Sequence, residues 1–234
     1  MRWIWFIAGT AGCTLEPAWV LEPPEAPEVL RFGFPIADRW VISRRIGVDH
    51  DPADGGTGLV GDATCVDYLG RSFPYCYDQH DGSDFILDGG FDAMDEGSVA
   101  IVAAADGVVV DTEDGHYDRC HTEDAQVSCD GGPLVANQVT LEHFDGSRTL
   151  YWHMMKDSVA VEVGDEVRCG DVLGIVGSSG NSSMPHLHFE VHTPDGDSFD
   201  PYAGPYSQEE SFWYEQGPAE GLPGSGCTGI DDSL

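Results

Sequence analysis

From Ser98 to Thr193 the chain is a succession of short runs rich in Val, Ile and Tyr, separated by turns built on Gly and Asp. Ser98 to Ala105, Gly107 to Asp111, Asn137 to Phe144, Arg148 to Met155, Val159 to Val163, Val167 to Val176 and His186 to Thr193 all read as strands. No stretch keeps a helical period over three turns. Connections this short suit antiparallel neighbours, so the expected fold is all-β: an antiparallel two-sheet sandwich or open barrel of the barrel-sandwich-hybrid type, with long decorated loops. The stretch before it, 31–97, is irregular by composition, and 115–135 reads as an inserted loop.

Charge narrows the partners. The net charge is −32, with ten Lys plus Arg among 234 residues, and Lys156 is the sole lysine. Phosphate neutralisation on that scale of opposing charge is untenable, so nucleic acid is excluded as a partner. The acid is spread along the chain and reads as a hydrated, self-repelling surface, which favours a monomer.

Cysteine usage and the N-terminus both point outside the cytoplasm. Arg2 precedes the apolar run Trp3 to Ala8 and small residues follow, the grammar of an export signal over 1–12. Thr10-Ala11-Gly12-Cys13 resembles a lipobox, which would make Cys13 a lipid anchor and place the protein in the cell envelope as an outer-membrane lipoprotein; plain secretion is the alternative. Residues 13–30 read as a Pro/Glu-rich linker. Cys65 with Cys76 and Cys120 with Cys129 are close in sequence within Gly/Asp-rich loops and read as local disulfides. Cys169 with Cys227 would then tie down a C-terminal tail, other connectivities staying open.

Four segments carry the chemistry: Tyr77 to Phe85, Leu150 to Met154, Gly174 to Asn181 and Pro185 to Val191. On a strand, His186 and His188 leave the same face, while Leu187, Phe189 and Val191 point to the other. His80 and Asp84 lie four apart, bent by Gly82. Two histidines and one carboxylate with a fourth position for water suit a catalytic zinc ion, whereas structural zinc sites are closed and rich in cysteine. Taken singly, His-x-His and His-x-x-x-Asp are weak signals.

In order and context they resemble the lysostaphin-type (LytM-like) zinc metallopeptidases from roughly His80 to Tyr202. His80-Asp81-Gly82-Ser83-Asp84 is similar to that family's H-x-G-x-D, Tyr151-Trp152-His153 to its tyrosine-x-histidine strand, and His186-Leu187-His188-Phe189-Glu190 to its closing signature. The resemblance implies that His80, Asp84 and His188 hold Zn2+, and that His153 and His186 are catalytic, orienting or deprotonating the attacking water and stabilising the oxyanion. It further implies a peptidoglycan endopeptidase, exported to the periplasm or cell envelope, with a metallopeptidase domain over 31–205, its core at 80–202, and a tail over 206–234.

Two other functions compete with this reading. A non-catalytic relative that binds cell wall and activates an amidase is the main alternative; against it, all five positions carry the expected residue types. A lipoyl- or biotinyl-type carrier needs a lysine at a hairpin tip, and Lys156 lacks the usual setting. His50, His116, His121 and His143 lie in loop or turn contexts and read as structural, as does His192, although its strand parity with His186 and His188 would allow it to line the cleft rim.

Overall fold

The structure, a computed structural model, describes residues 29–52, 64–119 and 130–227. Cys13, His121, Cys120 and Cys129, and with them the lipid-anchor and Cys120–Cys129 readings, lie outside the described residues.

The β-rich stretch folds as expected into antiparallel sheets. The strands are β1 (Ile42–Ile46), β2 (Ser83–Leu87), β3 (Ala100–Val102), β4 (Gly107–Glu113), β5 (Gln138–Glu142), β6 (Arg148–Trp152), β7 (Glu166–Val167), β8 (Val172–Ile175) and β9 (His186–His192). Seven form one sheet in the order β1-β2-β9-β6-β5-β4-β7, and β3 pairs with β8 in a second. A six-residue helix, α1 (Gly90–Asp95), and a single 3-10 turn at Arg39–Val41 complete the regular structure of the described residues. The fold is all-β and two-sheeted.

The centre of the large sheet determines where function can sit. β9 pairs with β2 on one side and β6 on the other, with Asp84 and Trp152 both opposite His188. Leu187, Phe189 and Val191 face a core that includes Phe32, Phe85, Leu141, Tyr151 and Trp213, each no more than 2 % exposed. Burying one such aromatic side chain is worth about 2–3 kcal/mol, so the alternation fixes the register: a one-residue slip would send three apolar side chains into the cleft. His186, His188 and Glu190 consequently share the opposite face.

Three stretches depart from the sequence expectation. Val167 to Val176 is two strands and not one: a turn in which Asp171 N–H donates to Arg168 O separates β7, in the large sheet, from β8, in the small one. Val159 to Val163 is not a strand. The amides of Asp157 and Val159 donate to the Asp114 carboxylate, and that of Glu162 donates to Asp165, so these N–H groups serve turns and leave little for a ladder. The irregular 31–97 stretch, by contrast, supplies β1, β2 and α1. Every residue of β2 is buried, so it lacks the polar–apolar alternation that marks a half-exposed strand.

Residues after 205 are part of the packing. Trp213 is buried among Phe32, Phe189 and Tyr202, Phe32 N–H donates to Phe212 O, and Tyr214 N–H donates to Phe32 O. Disulfides join Cys65 to Cys76 and Cys169 to Cys227, the second closing this segment onto the body of the protein.

Candidate metal centre

The motif residues meet at the middle of the large sheet. Asp84 is on β2, His186 and His188 on β9, His80 in the turn entering β2, and His153 in the residue after β6. The turn before β2 can approach β9 because Gly82 has no side chain: a Cβ there would stand 2.7 Å from His188 Cε1 and Nε2. His153 owes its place to a left-handed backbone, φ 66°. Regular strand parity would send it into the core behind Trp152; the positive φ turns its ring toward the cleft instead, 4.6 Å from the ring of His186. All five residues are buried, with 3–7 % exposure.

Each ring has one nitrogen committed to an acceptor. His80 Nδ1 donates to Gly47 O at 2.7 Å, His153 Nδ1 to Ser179 O at 2.7 Å, and His186 Nδ1 to Met184 O at 2.8 Å. His188 Nε2 donates to Glu190 Oε1 at 2.8 Å. A carbonyl or carboxylate oxygen can only accept, so these contacts set the tautomers and turn the second nitrogen of every ring inward. His80 Nε2 and His188 Nδ1 face each other at 3.2 Å, and Asp84 Oδ1 lies 3.1 and 2.8 Å from them. The three atoms fall within 4.8 Å of one another, and this is a possible metal-holding group among the described residues.

Electrostatics agree with that geometry. Despite burial, electrostatic interaction with the neighbouring His80 and His186 and hydrogen bonding with His188 and His80 hold the Asp84 carboxyl well below the usual carboxylate range. Burial works against a charged His188, but hydrogen bonds and charge from Asp84 and Glu190 outweigh it and push this ring up to about 9. A cluster of inward-facing acceptors thus draws a positive charge to itself, which in the metal-free chain is a proton on His188. Two imidazole nitrogens and a carboxylate oxygen, each braced from behind, fit a zinc ion. His153 and His186 behave oppositely. Burial, then the neighbouring histidines, lowers His153 well below the ordinary range; burial also lowers His186, against the pull of Asp84.

Three neighbours were not anticipated as site residues. Glu190 bridges His188 and His192, accepting from both at 2.8 and 2.6 Å; its even spacing from His186 and His188 was the available signal. Tyr77 stacks on His80 with ring centroids 4.2 Å apart and directs its hydroxyl to Asp84 Oδ2 at 3.4 Å, a contact across a bend that no strand pattern encodes. Trp152 lies 5.4 Å from the His188 ring, its buried indole N–H without an acceptor among the described residues.

The other described histidines lie outside the His80–Asp84–His188 group. His143 Nδ1 donates to Asp106 O and its Nε2 meets the Thr149 hydroxyl, His50 pairs with Asp200, and His116 with Glu113. His192 is partly exposed at the end of β9, joined to the cluster through Glu190.

The chain is similar to known peptidases over this region. It is 46 % identical over 55 residues to the DD-carboxypeptidase/endopeptidase Mpg of Neisseria meningitidis, covering 24 % of this chain and 12 % of that protein. With the glycyl-glycine endopeptidase ALE-1 of Staphylococcus capitis it shares 43 % identity over 58 residues, covering 24 % of this chain and 16 % of the relative. The chain therefore spans less than a fifth of the length of these relatives. A solved catalytic domain of lysostaphin from Staphylococcus simulans is 26 % identical, covering 63 % of this chain and 86 % of that one at a TM-score of 0.36. The model of Peptidase family M23 matches residues 79–201, more than half of the chain and the span from the turn before His80 to just past the strand of His188, and the chain is accordingly a lysostaphin-type (LytM-like) member of peptidase family M23.

Proposed function

We propose that this protein is a zinc-dependent endopeptidase that hydrolyses peptide bonds in the cross-links or stem peptides of bacterial peptidoglycan. The observation that carries the reading is the convergence of His80 Nε2, Asp84 Oδ1 and His188 Nδ1 beside two further histidines whose remaining nitrogens face the same cleft. Relatives described as endopeptidases support the choice of reaction, and the disulfides support an exported protein.

Zinc held by His80, Asp84 and His188 would supply a Lewis acid and lower the pKa of a water molecule to near neutrality. His153 and His186 supply the proton handling. Both rings are kept unprotonated by burial at neutral pH, and both have Nδ1 tied to a carbonyl, so Nε2 is the atom that accepts the proton of the attacking water. Once charged, the same ring stabilises the oxyanion and returns the proton to the leaving amine. The backbone carbonyls of Ser179 and Met184 hold the rings in place and stabilise the charged forms, which limits reorganisation during the reaction.

The test is metal analysis coupled to mass spectrometry of digested peptidoglycan. The purified protein is expected to carry about one zinc ion and to release muropeptides cut at an amide, with chelation abolishing the release. His188→Ala is expected to lose the metal. His153→Ala and His186→Ala are expected to keep it while turnover falls by roughly 10²–10⁴. A zinc-loaded protein that cuts no amide would favour the non-catalytic, amidase-activating reading.

A further inference from the structure

The chain has few cations, and they are not spread evenly. Arg44, Arg45 and Arg71 line one cavity of about 230 Å³ at the β1 edge of the large sheet, walled also by Tyr75 and closed by the Glu220 segment. On a surface of such strong negative charge, three guanidinium groups at one cavity form a local reversal of sign. We propose that this cavity is a carboxylate-binding subsite that seats an acidic group of the peptide being cleaved, an inference that rests on the peptidase reading above.

Position supports it. Arg44 stands opposite Ile86, and Ile86 opposite His186. Directly opposed residues share a face, so Arg44 lies on the cleft face two strand spacings, about 10 Å, from His186. The cavity wall is also continuous with the metal centre: Gly47 N–H donates to Tyr75 O, and the Gly47 carbonyl is the acceptor that holds His80. A peptide extending from the cleft across β2 therefore reaches the cavity within about three residues.

The chemistry of the wall is that of anion recognition. Arg45 stacks on Tyr202 at 4.1 Å and on Tyr68 at 5.0 Å, and Arg71 on Tyr75 at 3.8 Å, which fixes the guanidinium planes. No carboxylate pairs with Arg44 or Arg45 among the described residues, and Arg45 Nη1 is a buried donor without an acceptor. Arg71 is held from behind by Asp67, at 2.9 Å through Nε and 2.7 Å through Nη2, and its Nη1 binds Glu220 Oε1 at 2.7 Å. The Glu220 side chain is 69 % exposed and shows how a carboxylate reaching in from solvent docks there. The subsite selects a peptide with free carboxylates, such as an acidic stem peptide, over a glycyl bridge, which has none.

The experiment measures the affinity of the full-length, zinc-loaded His153→Ala protein, which binds without turnover, for a fluorescent stem peptide with free carboxylates and for its amidated counterpart. The acidic peptide is expected to bind roughly tenfold more tightly, the scale of one charge-assisted hydrogen-bonded pair. Adding Arg44→Gln should bring the two affinities together, whereas Arg168→Gln, an equal change of net charge outside the cavity, should preserve the ratio. Equal affinities in the starting protein, or a ratio that survives Arg44→Gln, would overturn the subsite. Cleavage by the protein with His153 intact is scored separately: a preserved affinity ratio without cleavage leaves the subsite standing and removes the peptidase reading, and cleavage without an affinity ratio does the reverse.

Discussion

Gly82 shows how a single missing side chain shapes the candidate metal centre. The space a Cβ would need is filled by the His188 ring at 2.7 Å and by Phe189 O at 2.8 Å, and the second of these is backbone that cannot step aside. Gly82→Ala therefore has to push β2 and β9 apart at the level where Asp84 opposes His188. Displacing one ligand is expected to weaken zinc binding by at least about tenfold, on the scale seen when the outer shell of a metal site is disturbed; competition with a chromogenic chelator measures it, and unaltered affinity would show that the strands can separate freely. The protonation of His188 gives a second test at this scale. With its ring pushed up to about 9 in the metal-free chain, it carries a proton at pH 7 that a metal ligand cannot keep. Zinc binding at pH 7 is thus expected to release about one proton, seen as a buffer-dependent enthalpy in titration calorimetry, and to weaken as pH falls. His153 and His186 set the opposite limb of behaviour. Their lowered values mean that the base form persists below the ordinary histidine range near 6.5, so the acid-side loss of turnover is expected below pH 6.5, and a midpoint above it would contradict their burial-driven shift.

At the scale of elements, the strands that alternate were legible in the sequence and those that do not were hidden. β4, β5, β6 and β9 show apolar residues on one face, and each was readable to within a few residues. β2 is buried on both faces and gives no periodic signal, although it carries Asp84. His80 and Asp84 could be read as one candidate pair and His186 and His188 as another because each spacing is short; that the two pairs meet depends on β2 lying beside β9, across more than 100 residues of sequence, and the position of His153 on the cleft side depends on a single left-handed residue. Nor was the arginine cavity legible, because Arg44, Arg71 and Glu220 come together only through the tertiary fold. The C-terminal segment reads as a Gly/Pro-rich tail, yet it places Trp213 in the core and is closed by a disulfide spanning 58 residues. Constraining a loop of that length is worth about 4 kcal/mol in the chain-entropy account. Replacing Cys169 and Cys227 together by Ser is expected to cost roughly 2–4 kcal/mol in urea unfolding, and Trp213→Ala about 3–5 kcal/mol. A loss under 1 kcal/mol in both would mean that the segment lies on the core without supporting it.

For the whole molecule the dominant fact is a charge of −32 on 234 residues. Charges of one sign at that density repel across the folded surface, and the unfolded chain relieves the repulsion by expanding. Raising ionic strength from 0.01 to 0.15 M shortens the screening length from about 30 to about 8 Å, which weakens repulsion between separate acidic groups while sparing buried pairs such as Arg71–Asp67. The folded protein is therefore expected to gain roughly 1 kcal/mol, or about 2–4 °C in Tm, over that range. Capture of an acidic peptide responds with the same sign, because the net acid of the surface repels the peptide over distances that salt screens, whereas guanidinium–carboxylate contacts inside the arginine cavity are at hydrogen-bond distance and are screened less. One salt titration followed by two readouts checks this: Tm rising while the preference for the acidic over the amidated peptide persists or widens is the expected pattern. A preference that disappears by about 0.15 M salt would mean that long-range charge, and not contact with the guanidinium groups of the cavity, governs the capture of substrate.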